Sequence, residues 1–379
     1  MVKFGVLGAG IVGLSTAEAL QDAYRDAEIL ILSPEKMTEL PSYGAAGGFR
    51  PDPHWMPGIT CCLEKGTCMK CPFRRWCERS KSHFWGLAAS QLSELAGVFF
   101  QPMIDVSSTD PSLPPFAATL CGSSKAMEND ELESLGFPNT IKMGYSYITC
   151  MIEGRYHMPY LLKKLQDGCA SVTGERRMQS LNEVYKWALG NNIDVVINST
   201  GLGSSIICED REVIPVRGQL VRVTAPWMKF GIYGPNSTYV FVGRDSVILG
   251  GIRDPLPCIL DRPLPPKMSE VSQDVSKDIL QRVKNLWRGP LSTAPVVEQW
   301  TGFRPQRSIV RLELNWLGYD GAFRKIPIIH NYGHGSMGIT LSRGTALDAV
   351  YLVEHGLKAG VSTEAQKLRA PGMDKLLSE

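Results

Sequence analysis

A glycine-rich turn near the start of the chain has the spacing needed to bind a phosphate group. The stretch Gly8-Ala9-Gly10-Ile11-Val12-Gly13 follows the apolar run Lys3–Leu7 and opens an amphipathic helical pattern. In this arrangement Gly8 permits a tight turn, Gly10 lets a pyrophosphate approach the backbone, and Gly13 lets helix and strand pack closely. Free N–H groups and the positive dipole end of the helix favour the phosphates. The turn therefore predicts a dinucleotide site, and a plain glycine turn is the alternative.

Two later segments could contact the same ligand. Glu35 lies just after a predicted strand, 22 residues after Gly13, where an acidic side chain usually binds the ribose hydroxyls. Pro34 interrupts the usual form, so a solvated, helix-starting glutamate is the alternative. The small, glycine-rich residues 42–51 either allow close approach of the backbone to a flat ligand or form a flexible surface loop.

Cysteines are concentrated in one short stretch. Cys62, Cys68, Cys71 and Cys77 could hold zinc or an iron–sulfur cluster through four thiolates, and Cys61 lies beside them. Only one Cys-x-x-Cys pair is present, whereas structural zinc sites usually have two such pairs or one with a histidine pair. Free thiols in an exposed insertion are the preferred interpretation, and no metal is predicted.

The composition is that of a globular protein with two domains. The 379 residues exceed one typical core, and 44% are hydrophobic and 21% charged. A net charge of +2 gives no reason to expect a nucleic acid or a membrane as partner, and no apolar run reaches the length of a membrane-spanning helix. Met1 leads directly into the first strand, so we expect no signal peptide and reduced cysteines.

Hydrophobic periodicity predicts the elements that position these residues. Helices are predicted at 84–95, at 158–166 with Pro159 in the first turn, at 274–286, and from 338 to about 355. Buried strands are predicted at 3–7, 27–32 and 194–197, antiparallel strands at 217–223 and 239–250, a proline-rich loop at 255–266, and a short strand at 326–329.

This order of elements predicts an α/β fold. A Rossmann-like nucleotide-binding domain, discontinuous in sequence, is expected at residues 1–50, 150–215 and 315–379. A largely antiparallel β substrate domain is expected to be inserted at residues 51–149 and 216–314, with a cysteine-rich insertion at 59–80.

Three stretches together resemble the D-amino-acid oxidase family of flavoproteins. They are the glycine turn, which continues as Leu14-Ser15, then Thr301-Gly302-Phe303-Arg304-Pro305, and His330-Asn331-Tyr332-Gly333-His334-Gly335. Residues 198–201 (NSTG) and 217–219 (RGQ) also look like family segments, in the expected order. The resemblance covers nearly the whole chain apart from the cysteine-rich stretch.

The resemblance implies FAD as the cofactor, with its adenine end on the first βαβ unit and a glycine turn against the flavin at the start of the last helix. Backbone N–H groups there would stabilise negative charge on the reduced flavin. The cofactor residues that follow are Gly8, Gly10, Ile11, Val12, Gly13, Glu35, Ser42, Ala45, Ala46, Gly47, Met178, Thr200, Gly335, Ser336, Met337, Gly338, Ile339 and Thr340.

The resemblance also assigns the residues that bind the substrate. Arg304 matches the arginine that pairs with the α-carboxylate, and Tyr239 a tyrosine that supports the same carboxylate. Arg253 and Ser336 resemble the branch of the family that oxidises D-aspartate, where an arginine binds the second carboxylate, and Arg50 could assist. The alternatives are a structural salt bridge for Arg304, packing for Tyr239 and a solvated charge for Arg253.

The implied reaction is oxidative deamination of D-amino acids, preferably acidic ones. The α-hydrogen leaves as hydride to flavin N5, dioxygen reoxidises the flavin, and the products are a 2-oxo acid, ammonia and hydrogen peroxide. No protein base is required, so His330 and His334 are expected to be structural. An oxidase of neutral D-amino acids, glycine or sarcosine is the nearest alternative, followed by a non-catalytic metal-binding protein and a NAD-dependent dehydrogenase.

Two departures from the family pattern qualify this expectation. Between Trp227 and Tyr239 the chain is shorter than the family's active-site lid, with Tyr233 as a possible replacement for a lid tyrosine. A shorter lid predicts a more open site and faster product release. The family implies a peroxisomal location, but Leu377-Ser378-Glu379 is not an SKL-type signal, so a cytoplasmic location stays open.

Overall fold

One mixed sheet of 15 strands runs through the part of the chain that the structure describes. The structure is a computed structural model, and it describes residues 1–59, 71–109, 114–262, 264, 269–318, 324–359 and 368–369. The strands are β1 (Lys3–Leu7), β2 (Glu28–Leu32), β3 (Val98–Ser107), β4 (Lys125–Met127), β5 (Met143–Ile152), β6 (Ala170–Thr173), β7 (Val195–Asn198), β8 (Ile214–Val223), β9 (Gly231–Tyr233), β10 (Tyr239–Val242), β11 (Val247–Gly250), β12 (Asp254–Pro255), β13 (Val296–Leu317), β14 (Ile326–His334) and β15 (Leu368–Arg369).

Helices cover both faces of this sheet. The α-helices in the described residues are α1 (Ile11–Ala23), α2 (Pro41–Gly44), α3 (Pro72–Ala88), α4 (Ser93–Ala96), α5 (Phe116–Cys121), α6 (Asn129–Ser134), α7 (Gly154–Asp167), α8 (Leu181–Gly190), α9 (Gly203–Ile207), α10 (Gln273–Leu286) and α11 (Gly338–Ala359). Single 3-10 turns occur at Met37–Glu39, Pro53–Trp55, Pro235–Ser237, Pro290–Thr293 and Gly335–Met337. None of these helices has the length and hydropathy needed to cross a bilayer.

One half of the sheet is parallel, in the order β14-β7-β1-β2-β6. Strands β1 and β7 at its centre are short apolar runs with both faces covered, as parallel strands require. Helices α1 and α11 pack against each other on one face, and α8 covers the other with Trp187 and Val184. Gly5 of β1 lies beneath Trp187, where a Cβ would come within 2.7 Å of the indole ring. This half positions the glycine turn at the carboxyl end of β1.

The other half is largely antiparallel and carries its own core. Its order is β4-β5-β3-β9-β10-β11-β8-β13, in which only β3 and β9 run parallel among the described strands. Alternating side chains of β8, β10 and β11 pack on helix α10 through Ile279 and Val283. Strand β13 pairs with β8 over its first part and with β14 over its last part, so it connects the two halves.

The predicted fold class is confirmed: a Rossmann-like parallel unit continues into a largely antiparallel sheet. The proposed domain boundary between 215 and 216 falls inside β8, and the one between 314 and 315 falls inside β13. Because both strands are continuous across these points, the division of the chain into domains stays a prediction.

Two predicted helices were wrong in their limits. The helix predicted at 84–95 is α3, which begins at Pro72 and ends at Ala88. Its buried face includes Phe73, Cys77 and Phe84, because a thiol packs like a small apolar side chain. The helix predicted at 158–166 begins four residues earlier, so Pro159 lies inside α7 and not in its first turn. The strand predicted at 326–329 continues to His334.

The cysteine-rich stretch is only partly described. Cys71 and Cys77 are buried, which contradicts the expected exposed insertion at these two positions. Burial raises the pKa of the Cys77 thiol well above its usual range, which disfavours the thiolate that metals bind. Cys61, Cys62 and Cys68 lie outside the described residues. The described residues contain no group of three or more potential metal ligands, so the interpretation of the full cluster stays open.

Candidate active site

A cavity of about 650 Å³ extends from the glycine turn to the antiparallel half of the sheet. It lies at the carboxyl ends of the parallel strands, where ligands usually bind in open α/β sheets. Every residue predicted for the cofactor or the substrate lines this cavity except Gly13. The fold therefore brings together residues that are far apart in the sequence and that were predicted to share one site.

The glycine turn has the backbone that a phosphate site needs. Gly8 has φ +96°, a conformation that side chains disfavour, and its N–H donates to the Leu32 carbonyl at 2.9 Å. Gly10 borders open space, since a Cβ there would meet only the Ser42 hydroxyl, at 3.9 Å. Gly13 lies behind the wall, where a Cβ would come within 1.9 Å of the Gly8 carbonyl oxygen. Gly13 thus acts through packing and does not contact a ligand in the cavity.

An ion pair lies on the wall of the cavity just after strand β2. Arg177 Nε lies 2.6 Å from Glu35 Oε1, and both residues line the cavity together with Met178. The Arg177 side chain is 70% exposed and that of Glu35 is 26% exposed. Glu35 therefore lines the cavity, but it already has a cationic partner.

The opposite wall is formed by two backbone turns and two buried polar atoms. Gly47 has φ +87° and lies against the Ile152 carbonyl, where a Cβ would approach within 2.3 Å. The turn Gly335–Met337 leads into the first residues of α11. Among the buried polar atoms of the described residues, Ser199 Oγ and Asn331 Oδ1 have no hydrogen-bond partner, although both residues line the cavity. Such atoms need a partner, and a polar ligand would supply one.

Arg304 is held by backbone carbonyls. Its Nη1 donates to the carbonyl of Arg217 at 3.3 Å and to that of Ile252 at 3.2 Å. The guanidinium lies against Gly218, where a Cβ would come within 2.5 Å of Nη2. Two of its five N–H donors are engaged by these bonds, so three are available to a carboxylate. Burial lowers the pKa of Arg304, which means that its charge is favoured less than in water.

Tyr239, the first residue of β10, lies near Arg304 of β13. Its ring stacks on Phe241 at 4.9 Å and lies over Gly250 and Gly251, where a Cβ on either glycine would approach within 2.5 Å. Burial raises the pKa of Tyr239, while the nearby Arg304 opposes this shift. The hydroxyl therefore stays protonated and can donate to a ligand oxygen.

Arg253 is held by three neighbours from separate segments. Its Nη1 donates to Ser336 Oγ at 2.9 Å and its Nη2 to Gln306 Oε1 at 2.9 Å. Its guanidinium carbon lies 4.3 Å from the centre of the Trp55 ring. Burial, together with the positive charge of Arg304, lowers the pKa of Arg253 to about 10. Trp55, Gln306 and Ser336 are called the Arg253 holder below.

The two arginines share an unusual electrostatic situation. No carboxylate of the described residues lies within 4.0 Å of the guanidinium of Arg253 or Arg304. Arg50, the other candidate, pairs with Asp105 at 2.9 Å and with Asp52 at 3.0 Å, so it is not free to bind a substrate carboxylate. A partly buried charge without a counter-ion is costly to desolvate, and anionic ligands would relieve this cost at both arginines.

The rim of the cavity between 227 and 239 is a strand followed by a turn. Tyr233 on β9 lies under the Arg50 guanidinium, 3.5 Å from its carbon atom, and lines the cavity. Arg282 of α10 donates to the Asn236 carbonyl at 3.1 Å and to Thr238 Oγ1 at 3.0 Å. It also donates to the Gly251 carbonyl at 2.9 Å, which attaches the turn to the segment that carries Arg253.

The histidines of the 330–335 stretch are buried. His334 contacts Thr345 Oγ1 at 3.1 Å, and burial lowers its pKa to about 3. His330 lies near Asn198 Nδ2, at 3.2 Å. His334 is therefore neutral at physiological pH, and its contacts are those of a structural residue, as the sequence predicted.

Comparison with known proteins identifies the family. Residues 3–352 match the profile of the family described as FAD dependent oxidoreductase. The chain belongs to this family. It is 32% identical over 359 residues to D-aspartate oxidase of Homo sapiens, covering 94% of this chain and 96% of that protein. It is 28% identical over 360 residues to D-amino acid oxidase of Dugesia ryukyuensis, covering 93% of this chain and 97% of that protein.

Solved structures of two glycine oxidases share the fold. Glycine oxidase from Bacillus cereus superposes with a TM-score of 0.69 at 16% identity, covering 97% of this chain and 100% of that chain. Glycine oxidase from Geobacillus kaustophilus gives 0.70 at 17% identity, with 96% and 97% covered. At these identities the likeness concerns the fold alone. Together with the sequence relatives, the family makes this protein an FAD-dependent amino acid oxidase.

FAD, predicted from the sequence, is confirmed as the cofactor of this family member, and the cavity fits it. The open space at Gly10 and the first N–H groups of α1 suit the pyrophosphate. The unpaired Ser199 and Asn331 oxygens offer acceptors within the wall. The first turn of α11 offers N–H groups to the flavin ring system. The contact of each single residue with FAD stays a prediction.

Arg177 should help this oxidoreductase to retain FAD. We expect Arg177→Ala to raise the FAD dissociation constant about 1.4- to fivefold, since an exposed ion pair contributes roughly 0.2–1 kcal/mol. Arg177 orients Glu35 and adds positive charge to the wall of the cavity. Titration of apoprotein, followed by flavin fluorescence, measures the change. Arg176→Ala is the matched control, because Arg176 is 80% exposed and does not line the cavity. Equal dissociation constants for both variants would contradict this role.

Sequence reasoning missed three residues of the site. Gln306 could have been found, because it lies two residues after Arg304 on a strand and therefore faces the same side. Arg177 directly precedes Met178, a predicted cofactor residue. Trp55 carries no sequence signal, since its position depends on the 3-10 turn Pro53–Trp55 and on tertiary contacts.

Proposed function

We propose that this enzyme oxidises acidic D-amino acids, D-aspartate and D-glutamate, to the 2-oxo acid, ammonia and hydrogen peroxide. The observation that carries the proposal is the pair of guanidiniums, Arg253 and Arg304, that line one cavity without a carboxylate partner in the described part of the chain. A substrate with two carboxylates supplies one counter-ion to each. A neutral amino acid supplies only one.

Arg304 and Tyr239 bind the α-carboxylate in this proposal. The guanidinium forms two parallel hydrogen bonds with the carboxylate, and the Tyr239 hydroxyl donates a third. These contacts fix the substrate, with its amine neutral, in one orientation. Such positioning removes much of the entropic cost of the reaction.

Arg253 binds the side-chain carboxylate. Its two hydrogen bonds to Ser336 and Gln306 engage neutral acceptors, so its charge is left for the ligand. When bound, FAD supplies the redox chemistry, taking up the α-hydrogen as hydride and passing the electrons to dioxygen. The protein needs no general base, because the hydrogen leaves with its electron pair.

The relatives support this proposal and also its nearest alternative. The human relative is named a D-aspartate oxidase, which agrees with an acidic substrate. The planarian relative is named a D-amino acid oxidase, which agrees with a broader or neutral preference. Identities of 32% and 28% do not separate the two, so the argument rests on the arginines.

A peroxide assay across D-aspartate, D-glutamate, D-alanine, glycine and sarcosine tests the proposal. We expect acidic substrates to be preferred by the wild type. In Arg253→Ala, kcat/KM for D-aspartate should fall by about 10²–10³, because losing one member of a buried charge pair costs roughly 2–5 kcal/mol. The fall for D-alanine should be far smaller. Arg211→Ala is the control, since Arg211 is exposed, pairs with Asp261 and lies outside the cavity.

Three outcomes would go against the proposal. Good D-alanine turnover with negligible D-aspartate turnover would assign the enzyme to neutral substrates. High activity on glycine or sarcosine alone would indicate that the enzyme is a glycine or sarcosine oxidase. A colourless protein that carries zinc but no flavin would favour the metal-binding alternative.

A further inference from the structure

We propose that Trp55 and Gln306 are positioning residues that set the preference for acidic substrates, by fixing Arg253 relative to Arg304. This inference rests on the proposed function, in which Arg253 binds the second carboxylate. Trp55 and Gln306 do not act on the reacting atoms. Their effect passes through the guanidinium that they hold.

Gln306 connects the two substrate arginines, because it shares a strand with Arg304 and is hydrogen-bonded to Arg253. It lies two residues from Arg304 on β13, so both side chains leave the same face of the strand. Gln306 Oε1 accepts from Arg253 Nη2 at 2.9 Å, and its side chain is only 5% exposed. Strand β13 therefore helps to set the separation of the two guanidiniums, directly for Arg304 and through the Gln306 hydrogen bond for Arg253.

Gln306 also fixes the aromatic neighbour of Arg253. Its Nε2 donates to the backbone carbonyl of Trp55 at 3.0 Å and to that of Arg307 at 2.5 Å. Gly335 leaves room for this amide, since a Cβ there would come within 2.1 Å of Oε1. Every polar atom of the Gln306 side chain is thus engaged, and its orientation is defined.

Trp55 supports the charge without neutralising it. Its ring lies 4.3 Å from the Arg253 guanidinium carbon, a distance at which the negative face of the indole attracts a cation. The amide of Gln306 and the hydroxyl of Ser336 are also neutral. The Arg253 holder thus orients a full positive charge, in contrast to Arg50, which two carboxylates hold.

The neutrality of Gln306 gives a sharp test. Gln306→Glu keeps the size of the side chain but places a carboxylate beside Arg253, which would satisfy the guanidinium internally. We expect the KM for D-aspartate to rise at least about thirtyfold relative to that for D-alanine, with kcat changing much less. The dissociation constant of malonate, a dicarboxylate, should rise in parallel, while that of acetate should not. Perturbation of flavin absorption measures both constants.

Trp55 provides a second, independent pair of variants. Trp55→Leu removes the aromatic face and should lower the selectivity for D-aspartate over D-alanine about five- to thirtyfold, the range expected for a partly desolvated cation–π contact. Trp55→Phe keeps a ring and should restore most of that selectivity. Gln281→Glu, an exposed glutamine of α10, controls for the added charge.

The outcomes separate this inference from the proposed function. If Arg253→Ala loses D-aspartate turnover but the Gln306 and Trp55 variants keep wild-type selectivity, only the positioning role is overturned. An equal loss on both substrates, with lowered thermal stability, would also overturn it, since it would indicate a structural role. If Arg253→Ala retains the preference for D-aspartate, the proposed function fails and this inference fails with it.

Discussion

Replacing Arg304 by leucine should reduce kcat/KM at least about 10³-fold for every D-amino acid, acidic or neutral, a loss on the order of 4 kcal/mol. All of these substrates share the α-carboxylate, and Arg304 has three N–H donors left to bind it. Arg304→Lys should recover only part of the loss, because an ammonium keeps the charge but cannot form the paired hydrogen bonds. Peroxide formation and anaerobic flavin reduction by substrate measure the effect.

The pattern across substrates distinguishes Arg304 from Arg253. Loss of Arg304 affects all substrates alike, whereas loss of Arg253 affects acidic ones selectively. FAD content and melting temperature must stay near the wild-type values for the comparison to be valid. Arg211→Leu is the control, since this exposed arginine lies away from the cavity. D-alanine turnover within tenfold of wild type in Arg304→Leu would remove Arg304 from the carboxylate site.

Gly13→Ala should weaken FAD binding strongly although Gly13 itself does not line the cavity. The added Cβ would come within 1.9 Å of the Gly8 carbonyl oxygen, which is backbone and cannot rotate away. Helix α1 must therefore move away from β1, and its first N–H groups move with it. We expect the FAD dissociation constant to rise at least about tenfold, and the apoprotein to lose roughly 1–3 kcal/mol of unfolding free energy, as overpacked cores do.

Thermal unfolding with and without added FAD measures both effects. Wild-type protein should melt at a higher temperature with FAD, because the ligand binds only the folded state. That increase should be clearly smaller in Gly13→Ala at the same FAD concentration. Gly86→Ala is the matched control: Gly86 lies in α3 with no atom within 4 Å of its Cβ position, so the change should stabilise the helix by about 0.5–1 kcal/mol. Wild-type FAD affinity in Gly13→Ala would show that the turn tolerates a displaced helix.

The parts of the fold set by local pattern were predictable from the sequence. The strand, glycine turn and helix at the start follow from short-range periodicity, and β8, β10, β11 and α10 from alternating or helical spacing. The family resemblance supplied Arg253 and Arg304, which no periodicity could have related across 50 residues of chain. The contacts of individual residues with FAD and substrate stay predictions.

The errors arose where tertiary packing overrides local signals. The cysteine spacing predicts that Cys71 and Cys77 are metal ligands or surface thiols. Both are buried against the core instead, Cys77 within α3 and Cys71 at its N-cap. Pro159 was placed at a helix start because proline favours that position, yet the buried face of α7 extends the helix past it. Trp55 lies in the site only because a short turn and the amide of Gln306 place it there.

Strand β13 constrains how this enzyme can move. It is hydrogen-bonded to β8 from Val296 to Gln306 and to β14 from Arg311 to Leu317, so the wall that carries Arg304 and the wall that adjoins the glycine turn belong to one ladder. Hinge closure, in which two lobes rotate about a few loop residues, would require that ladder to break. The spacing between the glycine turn and Arg304 is thus established by this ladder when the chain folds, and it is kept as long as the ladder stays paired.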